Sequence, residues 1–152
     1  MKRNDWCLKD DEYHLTVLGV VVRPDGRFLI TQRVMTKSWA PGWWEVSGGG
    51  VTAGESSYDA VCREVLEETG LEVTETVYQF SLPNTYLYSG FLVHTLDMFF
   101  LCKVKEEENL RAMDDVADSR WMPLEQVDPE EFGLDSVREG VRRFLKEHNQ
   151  AK

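Results

Sequence analysis

Apolar and polar residues alternate along this chain in short stretches that predict several strands and two helices. The strand-like stretches are rich in β-branched and aromatic residues and are separated by Pro, Gly, Asn and Asp turn signals. They cover His14–Val22, Phe28–Val34, Trp43–Val46, Glu72–Phe80, Phe91–Val104 and Ser119–Pro123. Between the fourth and fifth of these strands, we expect Pro83-Asn84 and Ser89-Gly90 to interrupt regular structure.

Two other stretches follow the spacing of an α-helix. The first runs from about Ser57 to Thr69, with a capping signal at Ser56 and a stop signal at Gly70. The second, Leu134–His148, carries one apolar stripe and closes the chain. The order β-β-β-α-β-β-β-α predicts an α/β sandwich with a mixed sheet, in a single domain over residues 1–152.

Charge and composition narrow the classes of function. The net charge of −10 argues against a general nucleic-acid binder, which needs a basic face. A single nucleotide is still compatible, because a bound divalent cation reverses the sign of a local site. The chain has no run of about 18 apolar residues, so no membrane span is expected. It also lacks a secretory signal, and its three separated cysteines fit reduced thiols in the cytoplasm.

The segment from Gly48 to the first helix carries the candidate chemistry. We expect Ser47-Gly48-Gly49-Gly50 to be irregular, because adjacent glycines indicate unusual dihedral angles or close backbone approach. On the helix, Glu64, Glu67 and Glu68 fall together, away from an apolar side formed by Tyr58, Val61, Cys62, Val65 and Leu66. Mg²⁺ prefers such oxygen ligands and commonly also binds substrate phosphate. The alternative interpretation is an exposed, solvated acidic face.

This segment resembles the signature of the Nudix (MutT-like) hydrolase family, G-x5-E-x7-R-E-U-x-E-E-x-G-U, where U is a bulky aliphatic residue. Every fixed position matches without insertion, which defines a Nudix box over residues 49–71. The matching residues are Gly49, Glu55, Arg63, Glu64, Val65, Glu67, Glu68, Gly70 and Leu71. A looser resemblance extends to the Phe28–Arg33 strand, to Pro41-Gly42 and to Trp121–Glu125.

The resemblance implies an α/β/α sandwich around a mixed β-sheet and a Mg²⁺-dependent hydrolase, with Mn²⁺ as a substitute. Such an enzyme cleaves the diphosphate linkage of a nucleoside diphosphate derivative, so the expected partner is a small nucleotide or diphosphate substrate. A homodimer is also compatible with the family. Carried over by position, Glu64, Glu67 and Glu68 are metal ligands, and the Gly48 carbonyl is a candidate fourth. The box-supporting residues are Gly49, Glu55, Arg63 and Gly70.

Some members of this family use an acid outside the box as general base or as a further metal ligand. Asp115, six residues before Trp121, is the candidate here, with Asp114 and Asp118 as rivals. A general base has to reach the attacking water at hydrogen-bond distance, which a sequence does not reveal. The alternative for all three is a hydrophilic loop.

Three residues are candidates for substrate binding. Arg33 matches a position that often contacts substrate phosphate or base, and the alternative is a surface arginine at a sheet edge. Trp39 belongs to a tryptophan cluster just before the box, and an aromatic ring stacks on any base. Tyr88 lies where some dinucleoside-polyphosphate hydrolases carry a tyrosine.

Three other functions compete with hydrolysis of a small nucleotide. The stretch Lys37–Glu55 resembles isopentenyl-diphosphate isomerase-like proteins, but these need a cysteine near the strand before the box, and Val46–Gly49 has none. A non-catalytic nucleotide sensor usually lacks box carboxylates, which this chain retains. RNA decapping is disfavoured by the acidic charge. Oxidised nucleoside triphosphates, nucleotide sugars and dinucleoside polyphosphates all stay open as substrates.

Overall fold

A computed structural model of the protein describes residues 13–34, 42–88, 90–113 and 116–150. The helices and strands, in chain order, are β1 (His14–Val21), β2 (Arg27–Arg33), β3 (Trp44–Glu45), β4 (Ser47–Gly50), α1 (Ser57–Thr69), β5 (Glu72–Tyr88), β6 (Phe91–Lys105), β7 (Val116–Pro123) and α2 (Asp135–Gln150). Single turns of 3₁₀-helix lie at 107–109, 124–126 and 129–131. Within the four described ranges, no helix combines the length and apolar character needed to cross a membrane.

The strands form two sheets. The larger has the order β4-β1-β6-β5 and is mixed, because β1 runs parallel to β6 while the other neighbours are antiparallel. The smaller is antiparallel, with the order β3-β2-β7. Side chains that alternate along β1 and β6 point to opposite faces of the larger sheet. One helix packs on each of these faces.

Two apolar clusters pack the helices against opposite faces of the larger sheet. On one face, Val17 and Phe100 pack with Val61 and Val65 of α1. On the other face, Leu18 and Phe99, each one residue away in its strand, belong to the cluster that contains Val141 of α2. The arrangement is the predicted α/β/α sandwich around a mixed sheet.

The first helix has the predicted bounds. The Ser56 hydroxyl accepts a hydrogen bond from the Asp59 N–H at 3.0 Å, and Gly70 ends the helix with a φ of 75°. The predicted apolar side is only partly correct, since Tyr58 and Leu66 are 49% and 50% exposed. They flank a narrower buried stripe that contacts the sheet, formed by Ala60, Val61, Val65 and Thr69.

Two predictions about the strands were wrong. Ser47–Gly50 is not irregular but forms β4, which pairs with β1. The glycines adopt an extended conformation and allow other parts of the protein to approach the backbone of this strand closely. The predicted interruption at Pro83-Asn84 is also absent, and β5 runs through it to Tyr88. Because β5 is an edge strand, the N–H that Pro83 lacks need not break the ladder with β6.

Candidate active site

A cleft of about 170 Å³ opens on the α2 side of the larger sheet. One wall comes from the segment around the glycine run and from α1, where Gly48, Gly49 and Glu68 line the cleft. Arg33 at the end of β2 and Glu45 of β3 also line it. The deeper part lies over β1, β5 and β6, next to the start of α2.

Glu68 is a partly buried carboxylate at this wall. Its Oε1 atom accepts hydrogen bonds from the Ser47 hydroxyl at 2.7 Å and from the Gly48 N–H at 2.8 Å. The pKa of Glu68 is raised to about 8, mainly by burial. The two hydrogen-bond donors oppose this rise, and the nearby carboxylates of Glu45 and Glu64 add to it. Glu68 lies seven residues after Val61, about two helical turns, which places it next to the buried stripe. The simple interpretation of a solvated acidic face therefore fails at this residue.

Gly49 lets the Glu64 carboxylate lie against the backbone of β4. A Cβ atom at position 49 would lie 2.5 Å from Glu64 Cδ and within 2.7 Å of both carboxylate oxygens. Real Cβ contacts are never this short, so any side chain here displaces Glu64. The glycine thus fixes how closely α1 and β4 approach in the box.

Arg63 joins the box loop, β4 and α1. Its guanidinium pairs with Glu55 through two bonds, Nε to Oε2 at 2.7 Å and Nη2 to Oε1 at 2.9 Å. It also contacts Glu64 at 2.9 Å, Glu67 at 3.3 Å and the Gly50 carbonyl at 3.1 Å. The hydrogen bond from Arg63 is the main cause that lowers the pKa of Glu55 to about 2. These contacts support the bracing role predicted for Glu55 and Arg63.

The chemistry of the box glutamates fits a hard divalent cation, since it supplies oxygen donors only. In the described part of the chain, no three His, Cys, Asp or Glu side chains converge closely enough to hold a metal ion. Arg63 instead holds Glu64 and Glu67, while Glu68 is turned toward Gly48. Glu67 is 48% exposed in its side chain, so it has room to turn toward an ion.

Of the site residues predicted outside the box, some lie in the described part of the chain and others do not. Arg33 lines the cleft, where its Nη1 atom contacts Glu45 at 3.1 Å. Trp39, Asp114 and Asp115 lie outside the described residues. Tyr88 ends β5, and its side chain is also outside the described part. The rival acid Asp118 lies in β7 and pairs with Arg120 at 2.8 Å.

Several polar residues of the cleft were missed by the sequence analysis. Asp97 is buried in β6 and accepts hydrogen bonds from the hydroxyls of Thr16 and Ser136. Asn84 and Thr95 are buried beside it. A signal existed in β6, because residues 93, 95, 97 and 99 share the buried phase of the alternation and two of them are polar. Asn84 had no such signal, since its segment was predicted to be interrupted.

Comparisons with known proteins agree with this geometry. The family model described as NUDIX domain matches residues 12–146. Nucleoside triphosphatase NudI of Salmonella arizonae is 26% identical over 138 residues, which cover 86% of this chain and 94% of that protein. NAD-capped RNA hydrolase NUDT12 of Homo sapiens is 31% identical over 111 residues, or 73% of this chain and 22% of that protein.

Among solved structures, a MutT protein from Methanosarcina mazei Go1 has the same fold. It superposes with a TM-score of 0.71 at 22% sequence identity, covering 93% of this chain and 99% of that one. Together with the family match over residues 12–146, the fold settles the membership. The chain belongs to the Nudix (MutT-like) hydrolase family, whose enzymes act on phosphoric anhydride bonds and generally use divalent metal ions.

Proposed function

We propose that this chain, as a single Nudix domain, is a Mg²⁺-dependent nucleotide pyrophosphohydrolase that cleaves the diphosphate linkage of a nucleoside diphosphate derivative. The observation that carries the proposal is the Glu68 carboxylate, which is partly buried beside Gly48 and Gly49 in the wall of the cleft and has a raised pKa of about 8. An isolated buried charge is costly unless a counter-charge compensates it. A divalent cation would supply that compensation and would face a substrate in the same cleft.

The metal would be held by Glu64, Glu67 and Glu68, with the Gly48 carbonyl oxygen as a further donor. When bound, Mg²⁺ or Mn²⁺ supplies positive charge that neutralises phosphate oxygens and polarises the phosphorus centre. Arg63 is the counter-ion of Glu64 and Glu67 in the structure. Its two bonds to Glu55 do not involve those carboxylates, so the loop would stay attached to α1 if Glu64 and Glu67 held a metal.

The rest of the site binds the substrate and handles a proton. Hydrolysis adds a water oxygen to one phosphorus and breaks a bridging P–O bond, and a carboxylate accepts the proton of the water. Asp115 is the proposed acceptor. Arg33, which lines the cleft and pairs with Glu45, is proposed to bind a substrate phosphate. Trp39 and Tyr88 are proposed to contact the base or the distal group of the substrate.

The decisive experiment measures release of phosphate and pyrophosphate with Mg²⁺ and then with EDTA. The substrates are nucleoside triphosphates, ADP-ribose, NAD, nucleotide sugars, dinucleoside polyphosphates and isopentenyl diphosphate. The name of NudI supports the triphosphates, and the name of NUDT12 supports including NAD. We expect turnover of one class that EDTA abolishes and that Glu68→Gln lowers by at least about 100-fold.

The matched control is Glu75→Gln, which changes an exposed glutamate of β5 paired with Lys103. It should keep wild-type turnover, while circular dichroism shows that both variants are folded. Turnover that survives in Glu68→Gln would contradict the proposed metal site. Binding of nucleotides without turnover of any substrate would instead support a nucleotide-sensing domain.

The isomerase alternative is not favoured by the structure. The two free cysteines in the described ranges, Cys62 and Cys102, belong to the α1 side of the larger sheet, opposite the cleft. Burial raises the pKa of the Cys102 thiol to about 11, which makes it a poor nucleophile or acid near neutral pH. The position in β4 closest to Glu68 is Ser47, not a cysteine. Isomerisation of isopentenyl diphosphate is therefore expected to be undetectable in the panel.

A homodimer is compatible with the family, and we propose it as the assembly to test. Light scattering of the purified chain measures its mass directly against the 17.6 kDa of one copy.

A further inference from the structure

The inner end of the cleft is polar because of the register of the larger sheet. Asn84 of β5 lies opposite Thr95 of β6, and Asp97 of β6 lies opposite Thr16 of β1. All four residues line the same cleft as Gly48 and Glu68. A ligand with its diphosphate at the box therefore extends its other end toward these side chains.

Two of these side chains each carry a buried polar atom without a hydrogen-bond partner in the described part of the chain. Asn84 is 7% exposed and Thr95 is 3% exposed. In the part of the chain that the structure describes, neither the Asn84 Nδ2 atom nor the Thr95 Oγ1 atom makes a hydrogen bond. Asp97 differs, since both of its carboxylate oxygens accept bonds from hydroxyls. Buried polar groups in native proteins normally have partners, so two unpaired polar atoms in neighbouring residues that line one cleft indicate a ligand site.

The size and the walls of the cleft select the kind of ligand. The whole cleft, with its box wall included, has a volume of about 170 Å³, and a cavity of about 150 Å³ accommodates one benzene ring. The inner end therefore has room for a single ring and not for a fused pair. Leu18, Leu134 and Val137 give the same cleft apolar walls. A flat ring with polar groups on its edge fits such walls, because its faces contact apolar side chains while its edge meets polar ones.

We propose that the inner cleft is a base subsite for a pyrimidine, in which Asn84 and Thr95 hydrogen-bond the polar edge of the ring. The side-chain amide of Asn84 donates to a ring carbonyl or ring nitrogen, and the Thr95 hydroxyl donates or accepts at a neighbouring position. A rotation of either side chain turns its polar atom toward the cleft. The subsite deepens the proposed function, since it makes pyrimidine nucleoside triphosphates or diphosphate derivatives the substrates.

The first test measures binding without catalysis. Isothermal titration calorimetry measures the binding of CMP, UMP, AMP and GMP in EDTA. Monophosphates are used because they have no diphosphate linkage to cleave. We expect CMP or UMP to bind at least about tenfold more tightly than the purine monophosphates. Purine monophosphates that bind equally well or better would overturn the pyrimidine subsite.

The second test compares variants of matched shape. Asn84→Leu and Thr95→Val remove the polar atoms while keeping size, and Thr95→Ser keeps the hydroxyl. Each removal should weaken CMP or UMP binding by about tenfold and lower kcat/KM for the matching triphosphate similarly. Thr95→Ser should keep both the binding and kcat/KM at the wild-type level. The Tm should stay unchanged or rise, because the two polar atoms have no partner in the protein to lose.

The matched control is Thr85→Val, which changes the β5 residue next to Asn84, where the hydroxyl meets His94 Nδ1 at 2.8 Å. It should leave binding and kcat/KM unchanged. Asn84→Leu and Thr95→Val variants that bind pyrimidine monophosphates like the wild type would overturn the subsite. Tight CMP or UMP binding without turnover of any triphosphate or diphosphate derivative would support the subsite and contradict the proposed hydrolysis, so the two failures are distinguishable.

Discussion

Protonation of the Glu68 carboxyl makes the stability of the folded protein depend on pH. The pKa of its carboxyl is about 8 in the folded protein, against a usual value of 4.5, and burial is the main cause. The folded state therefore binds this proton more tightly than the unfolded chain does. The resulting stabilisation is fully present below pH of about 4.5 and is lost as the pH rises to about 8.

We predict that Glu68→Gln removes this pH dependence, because glutamine imitates the neutral carboxyl at all pH values. Urea unfolding in EDTA should show the wild type losing free energy of unfolding relative to Glu68→Gln as the pH rises from about 4.5 to about 8. Glu75→Gln should follow the wild type. A constant difference between wild type and Glu68→Gln over this range would show that the Glu68 carboxyl has an ordinary pKa.

The second helix places its glycine against an aromatic ring of the sheet. A Cβ atom at Gly140 would lie 2.4 Å from Cε1 and 2.5 Å from Cζ of Phe99. Both residues are buried, and Phe99 also stacks on Phe80 at 5.0 Å between ring centroids. The close contact sets the distance of α2 from the sheet, and therefore the width of the cleft that α2 borders.

We predict that Gly140→Ala destabilises the protein by about 1–3 kcal/mol, since an added methyl group has to displace α2 or the ring. Combining it with Phe99→Leu, which removes the ring, should recover part of this loss in urea unfolding. Lys146→Ala on the exposed side of α2 is the control. Additive effects of the two substitutions in the double variant would argue that Gly140 and Phe99 do not constrain each other.

The elements predicted well from sequence are those defined by nearby residues. The α1 helix has its cap at Ser56 and its stop at Gly70, and both signals are local, so its bounds could be read directly. β4 and the second half of β5 could not, because their status depends on neighbours far along the chain. Gly48 is extended because it pairs with Leu18, and Pro83 is tolerated because β5 is at an edge.

The candidate site also combines residues that local sequence patterns identify with residues that only the folded structure brings together. The box glutamates follow from a pattern of 23 positions, 49–71, whereas Asn84 meets Thr95 and Asp97 only through the register of β5 and β6. Nothing local distinguishes Asn84 from a turn residue. The end proposed to bind the diphosphate was therefore open to sequence analysis, and the end proposed to select the base required the structure.

For the whole molecule, the net charge of −10 makes any divalent cation stabilising to some degree, whether or not it binds at the box. Specific binding adds a second effect, because a ligand bound only by the folded state raises its stability by about 2.7 kcal/mol at a hundredfold excess over Kd. For a chain of this length, that corresponds to a rise in Tm on the order of 5 °C or more.

We predict that Mg²⁺ raises the Tm of the wild type by this amount at pH above about 8, where Glu68 is ionised. KCl at the same ionic strength measures the general effect of charge screening and should give a smaller rise. In Glu68→Gln the rise with Mg²⁺ should fall to the KCl level, while Glu75→Gln should respond like the wild type. If Glu68→Gln gained as much Tm from Mg²⁺ as the wild type, the cation would be acting on the acidic surface and not at the box, and Glu68 would lose its assignment as a metal ligand.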